Sequence, residues 1–188
     1  IDENLFPLLK AQVDGKELII GPKKIKKNSR NGNSYNLQPT KFKVITNSRE
    51  IKELNVVSSG DFIIASPINI GKLEINMAGS GNIFLEKKVE GNKLEINLAS
   101  SGSVVASNID LAGIECSLAG SGYIQIAGKA DRAEYNLAAS GNIKAYECVT
   151  GKTECNIAGS GNIQTHTRNQ LEANIVGSGN IYHKGNPT

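Results

Sequence analysis

The feature that most constrains the fold of this sequence is a short glycine-containing phrase that returns seven times. In its clearest copies, residues 79–83 and 159–163, it reads Gly-Ser-Gly-Asn-Ile. Intervals of 21, 21, 20, 19, 20 and 18 residues separate successive copies. A period of about 20 residues rich in β-branched side chains predicts an all-β solenoid in which each repeat forms one coil. The glycine that never varies, called the corner glycine below, is Gly60, Gly81, Gly102, Gly122, Gly141, Gly161 or Gly179.

Apolar residues recur at fixed distances from the corner glycine. They alternate with polar residues, which predicts half-buried strands with every second side chain in the core. An unvarying glycine indicates either a positive φ or a lack of room for a Cβ atom. The serine before it predicts a ladder of stacked hydroxyls, and the asparagine after it in four copies predicts an amide ladder. The apolar column four residues before the glycine is Val56, Met77, Leu98, Leu118, Leu137, Ile157 and Ile175.

Two polar columns occupy the alternate positions of the same strands. Their side chains should therefore point away from the core and face solvent together, on a surface that we call the Glu/Asn face. A glutamate lies seven residues before every corner glycine, and an asparagine follows it two residues later in all coils but one, where Ser117 replaces it. Two residues before the glutamates a broken column of Lys72, Lys93, Arg132 and Lys152 should offset their mutual repulsion. The candidate surface ladder is Glu74, Glu95, Glu115, Glu134 and Glu154 with Asn76, Asn97, Asn136 and Asn156.

This ladder has two interpretations. It is either a solubilising surface that fixes the register of the strands, which the regularity favours, or a shallow binding surface for a cation or a polar glycan. The variable turns between repeats, for example residues 90–93 and 129–132, form a second candidate for recognition, because repeat-to-repeat differences concentrate there.

Nothing in the phrase indicates catalysis. The Gly-x-Ser-x-Gly spacing of a nucleophile elbow is missing, and a phosphate-binding loop would need a following helix, whereas each repeat continues into a strand. Strand acids occur once per repeat, whereas a catalytic cluster should break the repeat at one level. We therefore expect no catalytic residues, no metal ligands and no cofactor.

Charge and cysteine content further narrow the functions that this chain could have. The formal charge of +3 combines +5 in residues 1–53 with −2 in the remainder. The basic stretch at residues 23–30 is read as a solvated turn and not as a nucleic-acid site, because no aromatic residues are interleaved with it. Three cysteines do not form a disulfide framework and are expected to be core thiols; Cys116 and Cys155 lie two coils apart, too far to bridge. No transmembrane-length apolar run and no signal peptide are present.

The corner phrase, together with strands of the type Leu-Glu-Ile-Asn at residues 73–76, resembles the head GIN domain of putative auto-transporter adhesins. The resemblance is strong over about residues 51–183. It implies a right-handed parallel β-helix in an exported, non-enzymatic protein of the cell envelope or cell surface, with a glycan or an extracellular protein as partner. It transfers no catalytic residues.

The domain boundaries follow from the same pattern. Residues 51–188 are expected to form the repetitive β-helix, and residues 1–50 an irregular β cap or degenerate first coils, with strands within 16–21 and 35–46. Two alternatives remain open: a polysaccharide-processing β-helix enzyme, since that fold also hosts such enzymes, and a self-assembling structural β-helix or homo-oligomer.

Overall fold

The computed structural model describes residues 9–15, 17–22, 50–57 and 59–188. They belong to two compact units that divide between Asn47 and Ser48. In the first unit, β1 (Leu9–Asp14) and β2 (Glu17–Pro22) form an antiparallel hairpin whose turn contains Gly15 at a φ of 61°. Strand β2 confirms the strand expected within residues 16–21. The strand expected within 35–46 and the basic stretch at 23–30 lie outside the described residues.

The second unit is a β-solenoid of about seven turns built from parallel strands. The described residues contain no helix, and thus none that is long and apolar enough to cross a membrane. Both the all-β prediction and the parallel solenoid are confirmed. Its strands are β3 (Glu53–Val56), β4 (Phe62–Ile64), β5 (Ile68–Met77), β6 (Asn82–Leu85), β7 (Val89–Leu98), β8 (Ser103–Leu118), β9 (Tyr123–Leu137), β10 (Asn142–Gly159), β11 (Asn162–Gly177) and β12 (Asn180–Lys184).

Equivalent residues of successive repeats pair across the solenoid. Glu74 of β5 lies opposite Glu95 of β7, which lies opposite Glu115 of β8, and the same register continues to β11. A slip of one residue would move every apolar side chain of a strand to the solvent side, so the alternating pattern specifies this register. Within the described solenoid, register shifts occur only in the pairs formed by β8 to β11, for example between Ala106 and Ile109 of β8.

The core is a continuous apolar column inside the coils, with Leu73, Ile96 and Ile124 fully buried. Cys116, Cys148 and Cys155 are also buried and unbridged, as expected for core thiols. Towards the C-terminal coils the core becomes polar: four buried threonines hydrogen-bond to one another, with Thr150 Oγ1 and Thr153 Oγ1 2.6 Å apart. The other two members of this cluster are Thr165 and Thr167.

In the last coil the predicted inward column is not buried. Ile175 is 46% exposed, and its neighbour Val176 is 75% exposed. Segment 172–177 of β11 pairs with β10 on one side, and no strand among the described residues pairs with its other side. The prediction of burial is therefore wrong for Ile175, because burial in a solenoid needs a coil above as well as below.

At the corners the steric explanation of the glycine is right and the positive φ is wrong. Gly81, Gly102 and Gly122 have no positive φ, but a Cβ on each would lie 2.0 Å from the carbonyl oxygen of the preceding corner glycine.

The amide ladder is confirmed: Asn162 Nδ2 donates to Asn142 Oδ1 at 3.1 Å, and Asn180 continues it. The hydroxyl ladder is wrong, since no hydrogen bond joins the exposed corner serines among the described residues.

Candidate functional site

The Glu/Asn face is built by one segment of each coil, from Glu53–Val56 in β3 to residues 170–175 in β11. Parallel in-register pairing places glutamate on glutamate and asparagine on asparagine, while the alternate residues of the same segments enter the core. Like charges stacked about 4.8 Å apart repel one another. The contacts that offset this repulsion differ between the first half of the face, from Glu53 to Glu115, and the second half, from Glu134 to Glu172.

Two asparagines of the face, Asn76 and Asn156, each use one amide group for two acceptors. Asn76 Nδ2 donates to Asn55 Oδ1 in the preceding coil at 3.1 Å and to Glu74 Oε1 in its own strand at 3.0 Å. Asn156 does the same with Asn136 at 3.0 Å and Glu154 at 2.9 Å. Because both amide hydrogens are used, this column ties the coils together and also orients the carboxylates beside it.

The first half of the face has a second set of ties, made by the cation column. Lys72 Nζ lies 3.2 Å from Glu74 and 3.0 Å from Glu95 of the next coil. One coil further on, Lys93 Nζ repeats the geometry with 3.6 Å to Glu95 and 2.6 Å to Glu115. Each lysine thus bridges the carboxylate of its own coil and that of the following coil.

These bridges perturb the titration of the groups that form them. The hydrogen bond from Lys72 lowers the pKa of Glu95, and the hydrogen bond to Glu115 raises the pKa of Lys93. For Glu74 the pKa is lowered mainly by the hydrogen bond from Asn76 and then by Lys72. The first half of the face is therefore a closed network in which the charges satisfy one another.

The coil that ends at Gly122 breaks this network at two outward positions. Gly113 stands where neighbouring coils have a lysine or an arginine, and Ser117 stands in the asparagine column. By the geometry of Lys72 and Lys93, the side chain at position 113 would bridge to Glu134 of the next coil. Gly113 has no side chain, so Glu134 lacks this bridge. Arg132 of the same coil forms no ion pair with it either, and among the described residues Glu134 keeps only the hydrogen bond from Asn136, at 2.8 Å.

Beyond this break the cation column continues, but its members are not paired. Arg132 and Lys152 are exposed, and neither forms an ion pair within the described chain. The space left by Gly113 opens into a groove of about 630 Å³ that runs along the second half of the face. Its charged and amide-bearing lining in that half consists of Arg132, Glu134, Lys152, Glu154, Gln170 and Glu172.

The predicted ladder residues thus share one face but not one environment. Glu74 and Glu95 belong to the paired network, whereas Glu134 and Glu154 line the groove. Lys93 and Glu115 pair with each other at the end of the groove nearest the break. Among the described residues no group of three or more His, Cys, Asp or Glu side chains is arranged to hold a metal ion.

Sequence reasoning identified the columns but missed the groove. Gly113 carried the signal: it is the one gap in the cation column between Lys72 and Lys152. Gln170, which pairs with Lys152 and so occupies the same column in β11, was likewise not assigned to that column.

Comparison with known proteins shows which family the chain belongs to. The family described as "Putative auto-transporter adhesin, head GIN domain" matches residues 1–86 and again residues 78–187. The chain belongs to this family. Together the two matches cover nearly the whole sequence and include both halves of the Glu/Asn face. Among proteins of curated function, none matches the chain.

Solved structures of similar proteins show the same fold. A putative lipid binding protein from Parabacteroides distasonis is 50% identical with a TM-score of 0.89, over 100% of this chain and 76% of that one. A putative adhesin from Parabacteroides merdae is 34% identical with a TM-score of 0.86 and 75% of its length covered. A further putative adhesin from Parabacteroides distasonis is 30% identical with a TM-score of 0.90, again with 75% covered. All of this chain is covered in each case.

Proposed function

We propose that this head GIN chain is a non-enzymatic binding module that acts outside the cytoplasm, in the cell envelope or at the cell surface, and holds a glycan or a protein surface on its Glu/Asn face. Membership in an adhesin-named family supports a surface role and a surface partner. The observation that carries the choice of face is the groove of about 630 Å³ behind Gly113, where Arg132, Lys152 and Glu134 form no ion pair among the described residues.

The architecture suits such a role. A solenoid presents a flat, rigid array of side chains whose spacing is fixed by the strand ladder, so a ligand meets groups that are already in place. Glu134 and Glu154 are oriented by Asn136 and Asn156 at 2.8 and 2.9 Å. Carboxylates held in this way accept hydrogen bonds from hydroxyl groups at little further cost in side-chain entropy.

A binding screen tests the proposal. The purified chain is applied to a glycan array and, in parallel, to immobilised extracellular matrix proteins. Every hit is then measured with a Glu95→Gln, Glu115→Gln, Glu134→Gln triple variant. We expect at least one class of ligand to bind and the triple variant to lose it. If hits persist unchanged in the variant, the Glu/Asn face is not the binding surface.

Self-association is a second candidate, favoured by the exposed edge of β11. Segment 172–177 has an unpaired strand edge within the described chain and carries the exposed Ile175 and Val176. Such an edge is a template for pairing with another strand. Light scattering coupled to size exclusion distinguishes the cases: a mass that rises with concentration, and falls to that of one chain in Val176→Lys, supports self-association, whereas a concentration-independent monomer rejects it.

A further inference from the structure

The second half of the groove behind Gly113 presents charges of both signs that form no ion pair among the described residues. Arg132 and Lys152 lie in paired positions of the cation column, on adjacent strands about 4.8 Å apart. Glu134 and Glu154 lie two residues further along the same strands, about 6.6 Å away. The groove therefore offers cationic donors along one side and carboxylate acceptors along the other.

We propose that the ligand of this groove is an acidic saccharide. Its carboxylate or phosphate group accepts charge-assisted hydrogen bonds from Arg132 and Lys152, while its hydroxyl groups donate to Glu134 and Glu154. This proposal rests on the proposed function and specifies the chemistry of the ligand at that site. The donors and acceptors match the two columns as they stand, so the protein does not need to rearrange.

The balance of charges decides between classes of ligand. The second half of the groove holds two cations against the carboxylates of Glu134, Glu154 and Glu172. A densely anionic polymer, such as nucleic acid, would bring repeated negative charges against these carboxylates and be repelled. A neutral sugar would leave both cations without a partner. A saccharide with one anionic group among many hydroxyls satisfies both columns.

A lipid surface fits the groove less well. Membrane-surface binding needs apolar side chains that enter the bilayer, often supported by a basic face. The large exposed apolar side chains of the described solenoid, such as Ile63, Val176 and Tyr182, do not line the groove, and the charges that do are not predominantly basic. Binding to vesicles is therefore an outcome that would count against the proposal.

The test compares matched saccharides and matched variants of the full chain. The array contains saccharides with one acidic group, each beside its neutral parent, for instance sialyllactose beside lactose and galactose 6-phosphate beside galactose. The disruptive variant is Arg132→Gln with Lys152→Gln. Its control is Lys72→Gln with Lys88→Gln, which removes two cations that are already paired and do not line the groove.

A third variant probes the shape of the groove. A Cβ at position 113 meets no atom within 4 Å, and Gly113 has no positive φ, so Gly113→Gln fits the strand and fills the gap without adding charge. Melting temperatures of all three variants establish that they fold.

We expect binding to be restricted to acidic members of the pairs. The Arg132, Lys152 variant should lose at least about tenfold in affinity, Gly113→Gln should lose a similar factor, and the Lys72, Lys88 control should stay within about twofold. Raising the ionic strength should weaken binding. These results would establish the acidic-saccharide site.

Two outcomes would overturn the inference, and they differ in what they leave standing. If neutral and acidic saccharides bind alike, or the Arg132, Lys152 variant binds as well as the parent while Glu134→Gln does not, the ligand is uncharged and the proposed function survives without this inference. If no saccharide binds and vesicles of phosphatidylethanolamine or phosphatidylglycerol do, the ligand is a lipid surface and the acidic-saccharide site is refuted.

Discussion

Replacing the corner glycine at position 122 tests the physical basis of the solenoid. In the folded chain, a Cβ on Gly122 would lie 2.0 Å from the carbonyl oxygen of Gly102 and 3.1 Å from its carbonyl carbon. The obstacle is backbone, which cannot turn aside as a flexible side chain does. Gly122→Ala therefore requires the two coils to separate locally.

The cost follows from the hydrogen bonds at this corner. An ordinary contact begins near 3.4 Å, so the coils must move apart by about 1.4 Å. The bonds from Gly122 N to Ser100 O and from Tyr123 N to Gly102 O are each 3.2 Å long and would not survive such a shift. Each lost bond removes about 0.5–1.5 kcal/mol, and a buried polar group left unpaired costs more. We expect a loss of about 2–5 kcal/mol for Gly122→Ala and at least as much for Gly122→Val.

The assay is guanidinium denaturation followed by circular dichroism, with Gly71→Ala as the matched control. A Cβ on Gly71 meets no atom within 4 Å, and its φ is not positive. This control should be within about 0.5 kcal/mol of the parent or slightly more stable, because alanine restricts the unfolded chain. Since each coil contacts only its neighbours, Gly122→Ala is expected to lower the midpoint or to split the transition in two. A Gly122→Ala variant that unfolds together with the parent and with Gly71→Ala would refute the steric explanation of the repeat.

Three further predictions concern the Glu/Asn face and the core. Because its folded pKa is lowered, Glu95 stabilises the fold above its unfolded pKa near 4.5 and loses this effect as the pH falls through the folded pKa. Glu95→Gln should therefore lose about 0.5 kcal/mol at pH 7 and progressively less as the pH falls below 4.5, and a loss that does not change with pH would contradict the ion-pair network. Burial raises the pKa of the Cys148 and Cys155 thiols to about 12, so Ellman's reagent at pH 8 should label no cysteine of the native chain, whereas fast labelling would contradict their burial. The Tyr135 hydroxyl is buried and has no hydrogen-bond partner stronger than the Cys148 thiol, so Tyr135→Phe should be neutral or stabilise by about 1 kcal/mol in thermal unfolding, and a loss above about 1 kcal/mol would contradict this.

The sequence predicts best those parts of the fold for which every repeat gives the same information about strand position and register. One alternating strand would leave its register open, but seven copies aligned on a corner glycine leave only the pairing of glutamate on glutamate and asparagine on asparagine. The amide ladder of Asn142, Asn162 and Asn180 follows from the same alignment, because an amide offers both a donor and an acceptor at the strand spacing. A hydroxyl is shorter, and Ser140 and Ser160 at the exposed corner do not reach each other.

What sequence could not supply depends on atoms outside the repeat unit. The exposure of Ile175 is a property of the last coil's neighbours and not of its own residues, which follow the apolar pattern as faithfully as Ile157. The choice between a positive φ and a missing Cβ at Gly122 depends on how closely two backbones approach, and composition permits either.

The same distinction explains why the groove was not predicted although its cause is visible in the sequence. In the sequence, the gap in the cation column at Gly113 is a local omission. In the solenoid, however, Lys72 and Lys93 each reach forward to the carboxylate of the next coil, as Lys93 reaches Glu115 at 2.6 Å. Omitting one side chain therefore removes the forward ion pair of Glu134 one coil later, and the effect of the residue is displaced from its own position. Where a repeat protein forms a binding site at an interruption of its repeat pattern, the groups without ion pairs are therefore expected one coil beyond the interrupted position.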